Sequence, residues 1–379
     1  MDYQQKSIEA HRKAVGKISI ENKLPIENRE DLSIAYTPGV AGVSLAISKN
    51  SNEAYELAST KNMVAVISDG SAVLGLGDIG PLGAIPVMEG KCALFKKFAG
   101  LDAFPIVLDV HTEEEIIDAV LAMAPTFGGI NLEDISGPKC FKIEKTLIEK
   151  LDIPVMHDDQ HGTAIVVLAG LINALKVSGK EKENVKLVIN GAGAAGIANA
   201  KLLSEFGFKN IILCDSKGAL SKDRNDLNFE KLNALTYTNP NNESGSIHEV
   251  IAKADIFIGL SKGNLLTESN VKNMAEKSII FAMANPTPEI MPDVANKAGA
   301  YIVATGRSDF PNQVNNVLAF PGVFKGAMEK RSKITNNMKI AAAMALADMV
   351  STPDRDKIIP NPFEEGLANK VSEAVKKAI

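Results

Sequence analysis

Cysteine is scarce in this 379-residue sequence: Cys92, Cys140 and Cys214 lie far apart, in an odd number and without C-x-x-C spacing. That excludes a disulfide framework and a zinc ribbon, and points to a reducing compartment. No apolar run approaches the ~20 residues of a membrane span, and Met1-Asp2-Tyr3-Gln4-Gln5-Lys6 lacks the charged-then-apolar layout of a secretory signal. A cytoplasmic protein with no membrane partner is expected. Lysine and arginine form no basic stripe and the formal charge is −5, which argues against nucleic acid and favours a small metabolite. Repeats and low-complexity tracts are missing too; the polar stretch Thr238 to Gly245 reads as one exposed loop.

What is present is a globular composition, 45% hydrophobic and 23% charged, on a chain longer than the ~250–300 residues at which a single core stops growing. Two domains are therefore expected, 1–160 and 161–379. Short apolar runs at Met63–Ile67, Phe104–Val110, Gly129–Leu132 and Ile153–Met156 predict parallel strands, with helices such as Glu113–Met123 and Lys142–Leu151 between them. A second series follows at Val185–Asn190, Ile211–Cys214, Ile256–Leu260, Ile279–Met283 and Tyr301–Thr305, with the rhythm of a doubly wound sheet. The fold class is α/β: a parallel α/β N-terminal domain, then a doubly wound Rossmann-type dinucleotide domain. Helical spacing of Ile340, Ala343, Met344, Ala347 and Val350 predicts packing helices in the tail.

The strand Leu187-Val188-Ile189 runs into Asn190-Gly191-Ala192-Gly193-Ala194-Ala195-Gly196 and then a helix, which places G-x-G-x-x-G in its required context. Gly191 permits the turn, Gly193 lets backbone approach a pyrophosphate, and Gly196 allows close helix–strand packing, with the helix N-terminus facing the phosphates. Asp215, 19 residues past Gly196 (215 − 196), matches the acid that binds adenosine ribose hydroxyls and favours NAD. Lys217, Lys222 and Arg224 lie close enough in sequence to neutralise a 2′-phosphate, so NADP stays admissible.

Two acid pairs, Glu133-Asp134 and Asp158-Asp159, end predicted strands where open sheets bind ligands. Brought together, such hard oxygen ligands suit Mg²⁺ or Mn²⁺; singly, each pair could merely cap a helix, as Asp159 could for a segment starting near Thr163. His157 and His161 lack the intervening glutamate of H-E-x-x-H, which argues against zinc. Lys91 sits among small and apolar residues, where desolvation would lower its pKa toward that of a base, unless it is a surface lysine. Tyr36, one of five tyrosines, precedes a Pro-Gly turn.

Taken in order, Tyr36-Thr37-Pro38-Gly39-Val40, Gly75-Leu76-Gly77-Asp78-Ile79-Gly80, Gly90-Lys91, Asn131-Leu132-Glu133-Asp134, His157-Asp158-Asp159-Gln160-His161-Gly162-Thr163, Ala284-Asn285-Pro286-Thr287 and Asn315-Asn316 resemble malic enzymes of the short prokaryotic type, across nearly the whole chain. The resemblance implies oxidative decarboxylation of malate to pyruvate and CO2 by a homodimer using NAD or NADP and Mg²⁺ or Mn²⁺. It implies Lys91 as general base, Tyr36 as general acid, Asp158 orienting Lys91, and Glu133, Asp134 and Asp159 as metal ligands. Asn285 would contact malate or the nicotinamide half, together with Asn315, Asn316 or both. Longer members carry an arginine shortly before Gly-Leu-Gly-Asp; Ser71-Ala72-Val73-Leu74 stands here, so other groups must bind that carboxylate. A phosphotransacetylase-like extension, present in some bacterial members, is not expected to regulate this chain. The same groups would also serve a relative that decarboxylates oxaloacetate or turns malate into lactate with the nicotinamide recycled in place. A binding protein that has lost chemistry is disfavoured, because every acid, lysine and tyrosine of the active family is present.

Overall fold

In the computed structural model, which describes residues 3–73 and 76–379, two sheets stand at the centre of the chain. Met1, Asp2, Leu74 and Gly75, quoted above, lie outside the described residues. The first sheet comprises β1 (Met63–Ser68), β2 (Asp102–Val107), β3 (Gly129–Leu132) and β4 (Val155–His157), all parallel in the order β2-β1-β3-β4. Its crossovers are the helices Gly80–Ala99, Glu113–Met123 and Lys139–Lys150. Local chemistry sets their ends: Thr112 and Glu115 form a capping box at one start, and left-handed Gly100 closes another helix. β4 begins two residues later than expected, since Pro154 has no N–H for the ladder and contributes only its carbonyl, which accepts from Ile130 N.

The second sheet contains β5 (Lys186–Asn190), β6 (Asn210–Asp215), β7 (Gly218–Ala219), β8 (Ile256–Gly259), β9 (Ile279–Ala282) and β10 (Ile302–Thr305), ordered β10-β9-β8-β5-β6-β7. Only the two-residue edge strand β7 is antiparallel. Strand order reverses between β5 and β8, the switch point at which doubly wound sheets open a ligand crevice. Alternation assigns each residue a face: Leu187, Ile189, Ile256 and Ile258 join one apolar cluster, and Val188, Phe257 and Ile280 the other.

The helix Asp158–Ser178 follows β4 directly, and position 160, the expected domain boundary, falls inside it. Its 21 residues are long and apolar enough to span a bilayer by composition, which the sequence reading did not anticipate, yet most of the helix is buried in the core. One continuous apolar cluster takes in Val64 and Val66 of β1, this helix, and Leu187 and Ile189 of β5. The tail helices Asn336–Ala347 and Leu367–Lys377 close over it, and Asn173 Nδ2 donates to Ala347 and Ile358 carbonyls at 2.9 and 3.0 Å. Within the expected tail stripe Met344 is exposed, whereas Lys339 is buried.

Two further regions depart from expectation. The stretch from Thr238 to Gly245 is not wholly exposed: Thr238 and Asn239 are buried, and Asn239 Nδ2 donates to Leu220 and Glu243 carbonyls, bracing the turn. No residue from 3 to 59 is buried, although the segment carries Ile20, Leu24, Ile34 and Leu45. It is tied to the body by polar links such as Lys17 N to Glu89 Oε2 (3.0 Å) and Lys23 to Asp102 (3.0 Å).

Candidate functional site

β3 and β4 are neighbours, with Leu132 opposite His157, so the acids that follow each strand emerge side by side at the carboxyl end of the sheet. One oxygen each from Glu133, Asp134 and Asp159 lies within 4.8 Å of the others. Asp134 takes a left-handed backbone (φ +53°), and its N–H donates to Asp159 Oδ2 at 2.8 Å, stitching the two acid pairs together. Asp159 thus bonds across to the neighbouring strand's loop; the helix begins at Asp158 rather than near Thr163, so Asp159 is not its cap. Asn131 Nδ2 donates to Glu133 Oε2 at 2.9 Å. Glu133 and Asp134 are buried, while the Asp159 side chain is 34% exposed and marks the open side. Burial lifts the Glu133 carboxyl well above its ordinary value; Lys91 pulls it down, while Asp159, Asp158 and Asp134 push it further up. Three crowded, all-oxygen ligands with one open side fit a hard divalent cation.

Lys91 points into the same nest from the helix Gly80–Ala99 and is 7% exposed. Its Nζ lies 2.6 Å from Asp158 Oδ2, 2.8 Å from Glu133 Oε1 and 4.2 Å from the Phe320 ring centroid. The expected downward pKa shift is reversed. Burial does press it down, but Asp158 and Glu133 outweigh burial and hold the amine protonated above its ordinary value. Asp158 is fully buried and its Oδ2 also accepts from Asn316 Nδ2. Gly162, one turn on, leaves the room this needs, since a Cβ there would overlap Asp158 Oδ1.

The dinucleotide turn joins β5 to the helix Ala194–Phe206 at the switch point. Gly191 (φ +121°) presses against the Leu260 carbonyl, and a Cβ on Gly196 would overlap the Gly191 carbonyl oxygen; around Gly193 there is open space. The helix carries no side-chain cap, so its first N–H groups, at Ala194 and Ala195, face the position a phosphate would take. Ala192 lies buried within the turn. The Asp215 oxygens already accept from Arg224 (2.8 and 3.0 Å), Lys231 (2.6 Å) and Lys217 N (2.9 Å). Burial alone would raise this carboxyl, but hydrogen bonds from Arg224 and Lys231 bring it down to about 2. Asp215 is therefore not a free acceptor for ribose hydroxyls; a cationic collar surrounds it.

The amides separate clearly. Asn316 serves Asp158, whereas Asn315 Oδ1 accepts from Val317 N and caps the turn Asn316–Leu318. Asn285 lies just beyond β9, on a loop held by Glu289, whose carboxylate accepts from Ala284 N and Ser261 N at 3.0 and 3.1 Å. Tyr36 stands apart: it is 66% exposed, and among the described residues no hydrogen bond joins it to the lysine or the acids. Where longer relatives place an arginine, Ser71 Oγ accepts from Ser136 N, and Lys139 pairs with Asp69. Sequence reasoning passed over Glu144, Lys231 and Phe320, and quoted Asn131 and Gly162 only within motifs, without a role. Glu144 had a signal, a carboxylate on the apolar stripe Cys140, Ile143, Leu147.

The two sites meet at one loop: a Cβ on Gly137, three residues past Asp134, would lie 3.9 Å from Ala194 N at the dinucleotide helix. An acid cluster with a buried lysine thus abuts a glycine turn of the dinucleotide-binding type. Residues 15–116 match the family model described as malic enzyme, N-terminal domain, and residues 160–379 match malic enzyme, NAD binding domain. The chain belongs to the malic enzyme family. It is 52% identical to a bifunctional malic/malolactic enzyme of Bacillus subtilis, over 100% of this chain and 93% of that one. Identity to an NADP-dependent malic enzyme of Halomonas elongata is 44%, over 99% and 93%. The crystal structure of the NAD-dependent malic enzyme from Thermotoga maritima superposes with a TM-score of 0.95, at 52% identity and 98% coverage of both chains.

Proposed function

We propose that this malic enzyme oxidises (S)-malate and decarboxylates it to pyruvate and CO2. The observation that carries the reading is Lys91, buried between Asp158 and Glu133. Lys91 takes the C2 hydroxyl proton, and Asp158, steadied by Asn316, keeps the amine aimed. The Tyr36 hydroxyl returns a proton to C3 of the three-carbon enol. Malate dianion yields pyruvate anion, CO2 and one hydride, so the proton removed from oxygen equals the one added to carbon. When bound, a cation held by Glu133, Asp134 and Asp159 would polarise the substrate oxygens and offset the charge of Glu133, one of the two carboxylates, with Asp158, that hold Lys91 protonated, and a dinucleotide at the glycine turn would supply the hydride acceptor.

NAD is the main acceptor in this reading, and NADP a second one, supported by the cationic collar of Arg224 and Lys231 around Asp215. Mg²⁺ or Mn²⁺ suits the all-oxygen cluster. A homodimer would cover the apolar side chains of residues 3–57 and bring exposed Tyr36 to the cluster of a neighbouring copy. Domain limits near residue 160 and a cytoplasmic location complete the reading, the latter supported by three free, buried cysteines. The second reading, malate to lactate with the nicotinamide retained, is favoured by the bifunctional Bacillus subtilis relative.

Absorbance at 340 nm with malate, each dinucleotide in turn, and metal or chelator tests the assignment. NADH formation that chelator abolishes supports it; lactate without net NADH favours the second reading. Mixing Tyr36→Phe chains with Lys91→Ala chains tests the shared site, since mixed dimers regain activity only if Tyr36 crosses over.

A further inference from the structure

We propose that Glu144 is a positioning residue for the cation site, setting from behind how tightly Glu133, Asp134 and Asp159 hold a divalent cation. The proposal rests on the metal reading above. Glu144 lies in the middle of the helix Lys139–Lys150 and is 6% exposed, where an apolar side chain would pack without a desolvation penalty. All of its hydrogen-bond donors come from the turn that carries Asp158 and Asp159. Oε1 accepts from His157 N at 2.7 Å; Oε2 accepts from His161 Nε2 at 3.0 Å and Gln160 Nε2 at 3.3 Å. Residues on both flanks of the acid pair are thereby pinned to one buried carboxylate.

The link reaches the ligand itself. Gln160 Nε2 also lies 2.9 Å from His157 Nδ1, against one edge of the ring whose other nitrogen is Nε2. That Nε2 faces Asp159 Oδ2 at 3.2 Å. The chain of contacts therefore runs Glu144, Gln160, His157, Asp159, and ends on the oxygen that also accepts from Asp134 N. Lys339, buried on the helix Asn336–Ala347, lies near enough to pull on the same Glu144 carboxylate. Groups that hold metal-ligating side chains in place typically change metal affinity by ~10–100-fold when removed.

The test is Mn²⁺ binding to the full-length chain, measured by electron paramagnetic resonance of free Mn²⁺, alongside the metal-free melting temperature. Glu144→Gln keeps the size and one acceptor; its Mn²⁺ Kd is expected to weaken about tenfold. Gln160→Leu leaves the Glu144 contacts with His157 N and His161 intact and cuts only the link to the His157 ring, weakening Kd by about fivefold, below the full range because the residues on both flanks stay pinned. Should Glu144→Gln fail to fold, Gln160→Leu decides alone. A folded variant whose Kd stays within about twofold of the parent, whatever its melting temperature, overturns the proposal, leaving Glu144 a scaffold group. A parent chain that binds no Mn²⁺ overturns the proposal and the metal reading together.

Discussion

The loop after β3 and the helix start after β5 meet at the Gly137–Ala194 approach, yet the two sheet ends they belong to are built from opposite materials. At the first, the material is charged side chains: Glu133 and Asp158 are each buried within hydrogen-bonding distance of buried Lys91. At the second the working groups are backbone amides and missing side chains, at Gly191, Gly193 and Gly196. A proton-transfer site needs charges whose strength is raised by exclusion from water. A dinucleotide site needs close backbone approach to phosphate, and there a Cβ is the hazard.

If this division is right, substitutions at the two ends separate turnover from dinucleotide affinity. The largest effect is expected from Lys91→Ala, which removes the base: kcat should fall by ~10²–10⁴ while NAD affinity, followed by fluorescence titration, is retained. Near-normal turnover would break the assignment. Gly162→Ala forces Asp158 aside, and a displacement of this kind is expected to lower kcat by up to about a hundredfold without altering the KM for NAD. Gly196→Ala should do the reverse, weakening NAD by at least about tenfold, or ~1.4 kcal/mol, with Mn²⁺ affinity intact. A change in Mn²⁺ binding there would show that the two ends are coupled.

Smaller effects sharpen the second end. Arg224→Ala strips a bidentate partner from Asp215 and frees it for ribose hydroxyls, so the ratio of kcat/KM for NAD over NADP should rise by about tenfold. An unchanged ratio would show that the collar does not read the ribose. The smallest effect is on acid stability. The Asp215 carboxyl is held at about 2 against an ordinary 3.8, so between those values the unfolded chain binds more protons than the fold. Its contribution is present above about pH 4 and lost toward pH 2. Asp215→Asn should flatten the acid limb of Tm against pH by on the order of 1–2 °C.

Legibility followed the physics. β3, wholly buried and bounded by Gly128 and Glu133, has the limits its apolar run predicts, and the helix Glu113–Met123 has the limits expected of it. The edge of β4 was misjudged because a proline and a short run compete locally. Lys91 was recognisable as an embedded lysine, but the sign of its pKa shift was not, because Asp158 is 67 positions away and arrives only when β3 and β4 pair. Glu144 could have been noticed as a charge on an apolar stripe; its donors on the turn 157–161 could not.

Residue order alone dictated the strands, the glycine turn and the two acid pairs, because hydrophobic period, glycine and proline act over a few neighbouring residues. Folding settled which acids converge, that Lys91 is held charged, that Asp215 is already collared and that Tyr36 stays outside the cluster. Those outcomes depend on distances between residues far apart along the chain, and electrostatic interactions scale with such distances and with burial.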